Sequence, residues 1–362
     1  MSEFASLRPQ LKPDHYWILS SGSTSARVSK VIGLSTEALR ISARAVNAHL
    51  RARADDVWGL SLPTYHVGGL GILIRAELTG SVVVDLNPPL EGRGFAEAAR
   101  EFALRLFERK VTLLSLVPTQ VYDLVDQRIP APPALRAVVI GGAALAPDLY
   151  ARGIELGWPL LPSFGMTECG SQIATAELDR GLSSADPRLR LLDHVEAKTD
   201  AEGHLILRSA ALLTGQFERG DDEKWVFRDP KVDGALRTQD RVEIDGPWLK
   251  PLGRATDFVK VKGEGVNLED LRERFFADWS LEEKSRAVIV DLPDARDGAK
   301  LVLVLESATT GATIQQRLQA WNLGAFPPER LTDVRSIDRL PRTDLGKIAW
   351  AKLRQLLAHS DR

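Results

Sequence analysis

Short apolar segments alternate with amphipathic segments through the first half of the chain, and this alternation limits the fold more than any other feature. Residues 57–62, 111–116 and 135–140 have the length and apolar character of buried strands. A segment with helical spacing follows each of them, and a strand that is apolar on both faces must be covered on both faces. The sequence therefore predicts an α/β domain in which helices cover a mostly parallel sheet.

A different pattern begins near residue 188. Short alternating stretches are separated there by turn sequences such as D-G-P at residues 245–247, which favour antiparallel strands. From about residue 255, strands and helices alternate again in a segment with the size of a small α+β domain. We predict a large N-terminal domain, residues 1–254, and a small C-terminal domain, residues 255–362.

Charge and hydropathy exclude several classes of partner. The 47 basic and 49 acidic residues give a formal net charge of −2 and form no long run of one sign, so we expect no nucleic-acid partner. The apolar stretches are too short for membrane insertion, and the N-terminus lacks the pattern of a signal peptide. Cys169 is the single cysteine and is interpreted as a packing residue. We expect a cytoplasmic protein with small-molecule partners; whether it forms a homo-oligomer stays open.

Hydroxyl-bearing residues cluster after the apolar sequence W-I-L near the N-terminus. The string S-S-G-S-T-S occupies residues 20–25, and Lys30 follows six residues after Thr24. Hydroxyl groups, backbone N–H groups and a lysine can together bind a polyphosphate. A serine-rich surface turn has the same composition, and the Walker A spacing is absent. Both interpretations remain open at this point.

A second polar motif, S-F-G-M-T-E at residues 163–168, directly follows a predicted strand. Polar residues after a strand lie at the carboxyl edge of an α/β sheet, where Thr167 and Glu168 could hold Mg²⁺ on a nucleotide. Gly141-Gly142-Ala143 ends the preceding strand and would let a flat base approach the backbone. A capped turn and tight packing are the structural alternatives.

Two further motifs lie in the second half of the chain. Asp240 ends the sequence L-R-T-Q-D, and a carboxylate at a strand edge can accept hydrogen bonds from two ribose hydroxyls. Lys347 ends the turn-rich sequence L-P-R-T-D-L-G-K. A solvated hairpin and an exposed loop lysine are the alternatives when each motif is considered alone.

In this order the motifs resemble those of the acyl/aryl-CoA synthetases in the adenylate-forming superfamily. SSGSTSARVSKVIGLS is similar to the phosphate loop of that family, PTYHVGG to its acyl-site histidine motif, SLVPTQV and VVIGGAALAP to its nucleotide-pocket strands, FGMTE to its adenine and Mg²⁺ motif, and LRTQD to its ribose motif. GRATDFVKVKGEGVNLEDL resembles its hinge and CoA-side loop, and LPRTDLGK its catalytic lysine loop. The resemblance extends from about residue 16 to the end.

The resemblance implies an ATP- and Mg²⁺-dependent acid–CoA ligase that forms acyl-AMP and pyrophosphate and then transfers the acyl group to coenzyme A. The continuations FGMTECGSQIAT and PTYHVGGLGILIRAEL look most like those of o-succinylbenzoate–CoA ligases in menaquinone biosynthesis. The alternatives are a ligase for another aryl or acyl acid and a non-catalytic relative that binds nucleotide or acyl groups.

The resemblance also assigns a role to each motif residue. It assigns phosphate binding to Ser21, Gly22, Ser23, Thr24 and Lys30. It assigns nucleotide binding to Gly141, Gly142, Ala143, Phe164, Gly165, Asp240 and Arg254. Phe164 is expected to stack on adenine, and Asp240 is expected to bind the ribose. Thr167 and the catalytic Glu168 position Mg²⁺.

The remaining roles concern the acid and coenzyme A. Lys347 bridges the α-phosphate and the acyl carboxylate and neutralises charge in the transition state. His66 and Gly165 line the acyl pocket, and His66 shifts for the second half-reaction. Gly263 enters the site when the mobile C-terminal domain rotates. Arg75, a lone guanidinium in an apolar helix, could pair with the second carboxylate of o-succinylbenzoate, and a structural role is the alternative.

The chain departs from the family pattern at three places. Gly22 stands almost at the start, so we expect a layer of the large domain to be missing. The phosphate loop lacks the usual second glycine and the proline before lysine, and Arg27 is expected to substitute in phosphate binding. Thr256 and Gln239 replace the usual hinge and ribose-motif residues, which predicts an altered domain rotation.

Overall fold

The computed structural model describes most of the chain. The described ranges are residues 12–21, 29–86, 95–178, 188–219, 224–254, 258–261, 264–294, 298–307, 312–343 and 346–359. They divide into two compact units. The first comprises the described residues through Thr238 together with Val242–Pro251, and the second comprises Gln239–Arg241 and the described residues from Leu252. The domain boundary predicted after residue 254 remains a prediction.

Strands and helices alternate from β2 to β7, and the pattern is irregular after β7. The helices are α1 (Thr36–His49), α2 (Val67–Thr79), α3 (Phe95–Glu108), α4 (Pro118–Asp126), α5 (Pro147–Glu155), α6 (Leu268–Phe275), α7 (Leu281–Ser285), α8 (Ala312–Gly324) and α9 (Trp350–His359). The strands up to residue 199 are β1 (His15–Ser21), β2 (Ser29–Ser35), β3 (Val57–Leu60), β4 (Val82–Asp85), β5 (Leu113–Leu116), β6 (Ala137–Ile140), β7 (Leu160–Met166), β8 (Ser171–Ala176), β9 (Leu189–Leu191) and β10 (Glu196–Thr199). The later strands are β11 (His204–Arg208), β12 (Gly215–Arg219), β13 (Trp225–Arg228), β14 (Leu236–Asp245), β15 (Trp248–Arg254), β16 (Phe258–Val261), β17 (Glu264–Asn267), β18 (Ala287–Asp294), β19 (Gly298–Glu306) and β20 (Leu331–Ile337).

Local signals explain where the helices begin and end. The Ser35 hydroxyl oxygen accepts a hydrogen bond from the Ala38 N–H at 3.1 Å and caps α1, as its position before the amphipathic run predicts. Gly80 ends α2 with φ 72°, a left-handed conformation that glycine adopts without a Cβ clash. Both helix boundaries follow from residues that the sequence alone identifies.

The parallel part of the fold lies in one half of an eleven-stranded sheet. Its strands stand in the order β7-β6-β5-β3-β4, and each neighbouring pair is parallel. From β3 the chain crosses to β4 on one side, and it then returns to β5 on the other side. The predicted α/β class is confirmed, and the strand order reverses between β3 and β5.

The antiparallel part continues the same sheet beyond β7. The order there is β7-β8-β9-β15-β14-β11-β10, with antiparallel pairing of β7 with β8, β8 with β9, β9 with β15 and β11 with β10. The predicted antiparallel portion is therefore confirmed. That it joins the parallel strands in a single sheet was not evident from the sequence.

A separate four-stranded sheet, in the order β1-β2-β12-β13, holds the two ends of the predicted phosphate loop. Trp17 pairs with Gly33, and a Cβ at Gly33 would lie 2.6 Å from the Trp17 ring, so glycine lets the ring lie flat on the sheet. Phe217 packs against Trp17 with ring centroids 5.2 Å apart and the ring planes tilted by 46°. The sequence motifs predicted a phosphate loop here, with a serine-rich turn as the alternative, and did not indicate the sheet that flanks it.

The second unit has its own core. The hairpin β16-β17 precedes α6, and Asn267 caps that helix by accepting from the N–H groups of Glu269 and Asp270. β18, β19 and β20 form a sheet whose apolar residues pack against α6 and α8 on one side and α9 on the other. Among the described residues of the whole chain, the helices are all too short or too polar to cross a membrane.

Candidate active site

The reversal of strand order between β3 and β5 marks the edge where α/β sheets bind ligands. The connections that follow β3 and β5 run to opposite sides of the sheet, so a crevice opens between them at the carboxyl ends of these strands. Hydrogen bonds join these strand ends: the Ser61 hydroxyl donates to the Ser115 carbonyl, the Gln120 amide donates to the Ser61 carbonyl at 3.3 Å, and the Ser163 hydroxyl donates to the Ile140 carbonyl at 2.9 Å. The segments after β3, β5, β6 and β7 therefore share one edge.

The S-F-G-M-T-E motif lies at the end of β7. The strand runs through Met166, four residues beyond its predicted end, and a 3₁₀ turn at Thr167–Cys169 follows. The register against β8 shifts between Phe164 and Gly165. Gly165 has no room for a side chain, because a Cβ there would lie 2.0 Å from the Ser171 carbonyl oxygen. The motif is therefore a strand end clamped against β8 rather than a free turn.

Glu168 is held by its backbone and not by its carboxylate. Its carbonyl oxygen accepts from the Leu213 N–H at 2.8 Å, and Gly170, with φ 66°, ends the turn. The half-buried carboxylate makes no hydrogen bond or ion pair with another described residue. Carboxylate and hydroxyl oxygens are the ligands that Mg²⁺ prefers, and the metal keeps waters and substrate phosphates in its remaining positions. Glu168 and Thr167 fit that requirement.

Small residues follow β6 beside this turn. Gly141 donates its N–H to the Leu116 carbonyl at 3.1 Å, and a Cβ on it would lie 3.5 Å from the Ser163 hydroxyl. Gly142 has φ 89°, and Ala143 is exposed. Phe164 is half-buried and packs on the main core. Gly141–Ala143 leave an open backbone surface, as a flat base requires, and Phe164 lies on the neighbouring strand β7.

His66 stands at the start of α2, after β3. It is half-buried and makes no side-chain cap to the helix. Its ring centroid lies 4.6 Å from that of Tyr65, which is 61% exposed. An exposed aromatic ring at a ligand edge offers a contact surface for an aryl group. Tyr65 belongs to the PTYHVGG motif but was not among the predicted site residues.

Lys30 lies on β2 and not in the predicted loop. Its ammonium group pairs with the Glu218 carboxylate at 3.1 Å, and Arg228 lies 3.6 Å from the same carboxylate. All three side chains are partly exposed, so the ion pairs are weak. Lys30 would have to exchange Glu218 for phosphate to take its predicted role.

Arg75 is 1% exposed and lies inside the first unit. Its Nη2 donates to the Ser171 hydroxyl at 3.2 Å, and its guanidinium lies 5.8 Å from the centroid of the Trp58 ring. Nε has no hydrogen-bond partner among the described residues, and no described carboxylate lies at ion-pair distance. Burial lowers the pKa of Arg75 to about 10, so the group stays charged at neutral pH.

The second unit carries two predicted site residues that the structure describes. Asp240 is half-buried on β14, and Lys347 is exposed, with its carbonyl accepting from the Thr343 N–H at 2.8 Å. The side chains of Ser21 and Arg254, and all of Gly22, Ser23, Thr24 and Gly263, lie outside the described residues, as do Arg27 and Thr256.

A further polar cluster, Asp200, Glu202 and His204, has the composition of a metal site. Arg237 occupies it: Nε donates to Asp200 at 2.6 Å, and Nη2 lies 2.7 Å from Nδ1 of His204. Burial alone would raise the pKa of Asp200, but backbone and Arg237 hydrogen bonds outweigh that effect and lower it. The cluster is a satisfied ion-pair network on the antiparallel part of the sheet.

Comparison with known proteins defines the class. The model of the AMP-binding enzyme family matches residues 3–216, more than half of the chain, and the chain belongs to this family. Among curated proteins it is similar to the 2-succinylbenzoate–CoA ligases of Enterococcus faecalis, with 25% identity over 323 residues, and of a Bacillus cereus strain, with 30% identity over 328 residues. Each alignment covers 85% of this chain and 63% of the relative, so the chain spans less than two thirds of their length.

Solved structures show the same fold. o-Succinylbenzoate CoA synthetase from Bacillus subtilis, in complex with its acyl-adenylate intermediate, aligns with a TM-score of 0.75 and 21% identity over 95% of this chain and 70% of that chain. ATP-bound MatB from Rhodopseudomonas palustris aligns with a TM-score of 0.77 and 23% identity over 96% of this chain and 68% of that chain. The predicted fold of adenylate-forming enzymes is confirmed.

Proposed function

We propose that this protein is an AMP-forming acid–CoA ligase that converts o-succinylbenzoate, ATP and coenzyme A into o-succinylbenzoyl-CoA. The observation that carries the proposal is the Glu168 carboxylate. The backbone fixes it at the carboxyl end of β7, and it has no partner among the described residues. It stands at the strand edge where Gly141 leaves the backbone open. The named relatives supply the choice of acid, and the cytoplasm is the proposed compartment.

The first half-reaction brings a carboxylate against the α-phosphate of ATP, so two anions must be held together. Bound Mg²⁺ would supply positive charge to the phosphates, with Glu168 and Thr167 as its protein ligands. Phe164 would hold the adenine against the Gly141–Ala143 backbone. Lys347 would neutralise the charge that builds on the reacting phosphate. Pyrophosphate leaves, and acyl-AMP remains bound.

The second half-reaction exchanges AMP for the thiol sulfur of coenzyme A. The acyl carbon forms a bond to sulfur, its bond to the AMP oxygen breaks, and the thiol proton passes to solvent. His66 stands half-buried at the start of α2, at the acyl end of the site, and is proposed to shift for this step. Gly263 is proposed to belong to the coenzyme A channel, and the alternation of the two units between half-reactions is part of the proposal.

Arg75 supports a dicarboxylic acid as substrate. It is a buried cation without an acidic partner among the described residues. Burying such a charge is costly unless something compensates it. o-Succinylbenzoate has a carboxylate to activate and a second one to be recognised, so its unreacted carboxylate would supply the missing negative charge.

Mass spectrometry of reaction products tests the proposal. The protein is incubated with ATP, Mg²⁺, coenzyme A and, separately, o-succinylbenzoate, benzoate, short-chain acids and fatty acids. We expect an o-succinylbenzoyl-CoA peak that requires ATP and falls at least ~10²-fold in Glu168→Gln. Glu177→Gln is the control, because Glu177 pairs with Arg190 away from the strand ends. A thioester of another acid would correct the substrate, and no adenylate or thioester from any acid would refute the function.

A further inference from the structure

Lys347 lies in a tight turn whose backbone closes on itself. The Thr343 N–H donates to the Lys347 carbonyl at 2.8 Å, and the Gly346 N–H donates to the Thr343 carbonyl at 2.8 Å. Gly346 has φ 72°, a conformation that glycine adopts without a Cβ clash. These contacts define a lysine turn, residues 341–349.

Both peptide units that flank Lys347 are held by hydrogen bonds. Arg342 Nη1 donates to the Gly346 carbonyl at 2.8 Å, and this carbonyl belongs to the peptide unit before the lysine. The peptide unit after the lysine is held through its carbonyl by the Thr343 N–H. A peptide unit is planar, so only the φ and ψ angles of Lys347 separate the two held groups. Arg342 therefore helps to set the direction in which the lysine side chain leaves the backbone.

Arg342 is itself tied to another element. Its Nη2 donates to the carbonyl of Ser285, the last residue of α7, at 2.5 Å. The last carbonyls of a helix have no partner within the helix and carry partial negative charge, which suits a guanidinium. A guanidinium is rigid and planar, so two carbonyls bound by one such group are held at a fixed separation. Arg342 thus links the lysine turn to α7.

Other contacts anchor the two ends of the lysine turn. Leu340, directly before it, is 1% exposed, and its N–H donates to the Glu306 carboxylate at 2.9 Å. Trp350, directly after it, has the Arg272 guanidinium 4.3 Å from its ring centroid. Arg342, in contrast, is exposed. Its loss should leave the second unit folded and loosen only the backbone beside the lysine.

We propose that Arg342 is a positioning residue for Lys347, which acts by fixing the backbone beside the lysine and not by touching the substrate. A lysine ammonium group is carried on a flexible four-carbon stem. A fixed starting direction of that stem increases the time that the ammonium group spends at the reacting phosphate. The assignment rests on the proposed function for the reaction that Lys347 serves and on the described contacts for the turn.

A double-mutant cycle tests this role. Single-turnover adenylate formation from o-succinylbenzoate, ATP and Mg²⁺ is measured for the wild type, Arg342→Ala, Lys347→Ala and the double variant. Thioester formation from supplied acyl-AMP is measured in parallel, and Arg342→Lys keeps the charge without the planar group. Hydrogen exchange of the peptide that contains the lysine turn reports on its backbone without requiring activity. Arg286→Ala is the control, because Arg286 directly follows Ser285 but pairs with Glu282 at 3.0 Å.

We expect Arg342→Ala to lower the rate of adenylate formation about 10-fold, because two hydrogen bonds from a charged group are lost. In the Lys347→Ala background the same change should alter the rate less than about 2-fold, since no lysine remains to be positioned. Thioester formation should also change less than about 2-fold, and Arg342→Lys should recover only part of the lost rate. The turn amides should exchange about 10-fold faster in Arg342→Ala and as in the wild type in Arg286→Ala.

Three results would overturn the positioning role of Arg342. Equal losses with and without Lys347 would show that Arg342 acts on the substrate by itself. Full activity of Arg342→Lys would show that positive charge alone suffices. Unchanged hydrogen exchange in Arg342→Ala would show that the turn does not depend on this contact, whatever the activity. Faster exchange in a protein that forms no adenylate from any acid would support the contact and refute the ligase function.

Discussion

Replacing Gly165 with alanine tests how closely β7 and β8 approach at the candidate site. A Cβ at this position would lie 2.0 Å from the Ser171 carbonyl oxygen, 2.7 Å from its carbon and 2.9 Å from the Gln172 Cα. All three are backbone atoms of a paired strand, so no side-chain rotation relieves the overlap. A carbon–oxygen contact is about 3.3 Å at its closest, so the strands must separate by about 1.3 Å.

Substitutions that overpack a core lower the free energy of unfolding, and a clash with backbone atoms belongs at the upper end of that effect, about 3 kcal/mol. For a unit of this size, that change lowers Tm by roughly 6–12 °C. Adenylate formation should fall as well, because Gly165 lies between Ser171 and the turn that holds Glu168. Both effects have the same origin, the displacement of β8 from β7.

Gly141→Ala is the matched control. A Cβ at Gly141 would lie 3.5 Å from the Ser163 hydroxyl oxygen, an ordinary van der Waals contact with a side-chain atom. Thermal melting and urea unfolding, followed by tryptophan fluorescence, measure both variants beside the wild type. The reasoning about Gly165 is refuted if its variant melts within about 1 °C of the Gly141 variant.

Three more substitutions or treatments test separate parts of the chain. Lys347→Ala should lower acyl-AMP formation at least ~10²-fold while thioester formation from supplied acyl-AMP persists; an equal loss in both assays contradicts its role. Burial raises the pKa of the Cys169 thiol to about 12, so iodoacetamide at pH 8 should label it only in urea, and labelling of the native protein would show the thiol to be accessible. Asp56→Asn should destabilise the protein by about 3 kcal/mol at neutral pH, because it leaves Arg136 without its buried carboxylate. Burial alone would raise the pKa of Asp56, but hydrogen bonds led by that from Arg136 lower it. The carboxylate therefore stabilises the folded protein above the ordinary carboxylate pKa of about 4, and this stabilisation is lost as the pH falls. The same pH dependence of urea unfolding in wild type and variant from about pH 3 to 7 would contradict this.

Most of the parallel sheet could be predicted because its signals are local. Apolar runs of strand length predicted β3, β5 and β6. Ser35 marks the beginning of α1, and Gly80 marks the end of α2. These features depend on a few consecutive residues. Burial confirms the interpretation of Cys169 as a packing residue, since it is completely buried.

The four-stranded sheet could not be predicted because its pairing is long-range. Gly33 of β2 pairs with Gly215 of β12. Trp17 packs on Gly33 within the hairpin, but its contact with Phe217 forms only once β12 is in place. The same limit applies to the candidate site. The sequence identified Arg75 and the S-F-G-M-T-E motif, but nothing in their spacing shows that Ser171 lies between them. The direction of a hydrogen bond and the exposure of an oxygen atom depend on which residues pack around it, and the spacing of a motif does not show those neighbours.

The pairing of β2 with β12 also sets an order of events during synthesis. The paired residues Gly33 and Gly215 are about 180 residues apart, which at ~5–20 residues per second corresponds to a delay of roughly 10–40 s on the ribosome. Throughout that interval the β1-β2 hairpin has no strand beside β2, and its tryptophan ring has no Phe217 to pack against. A nascent chain stalled before residue 215 would therefore expose an unpaired apolar edge to chaperones, while one released after residue 228 could complete the sheet.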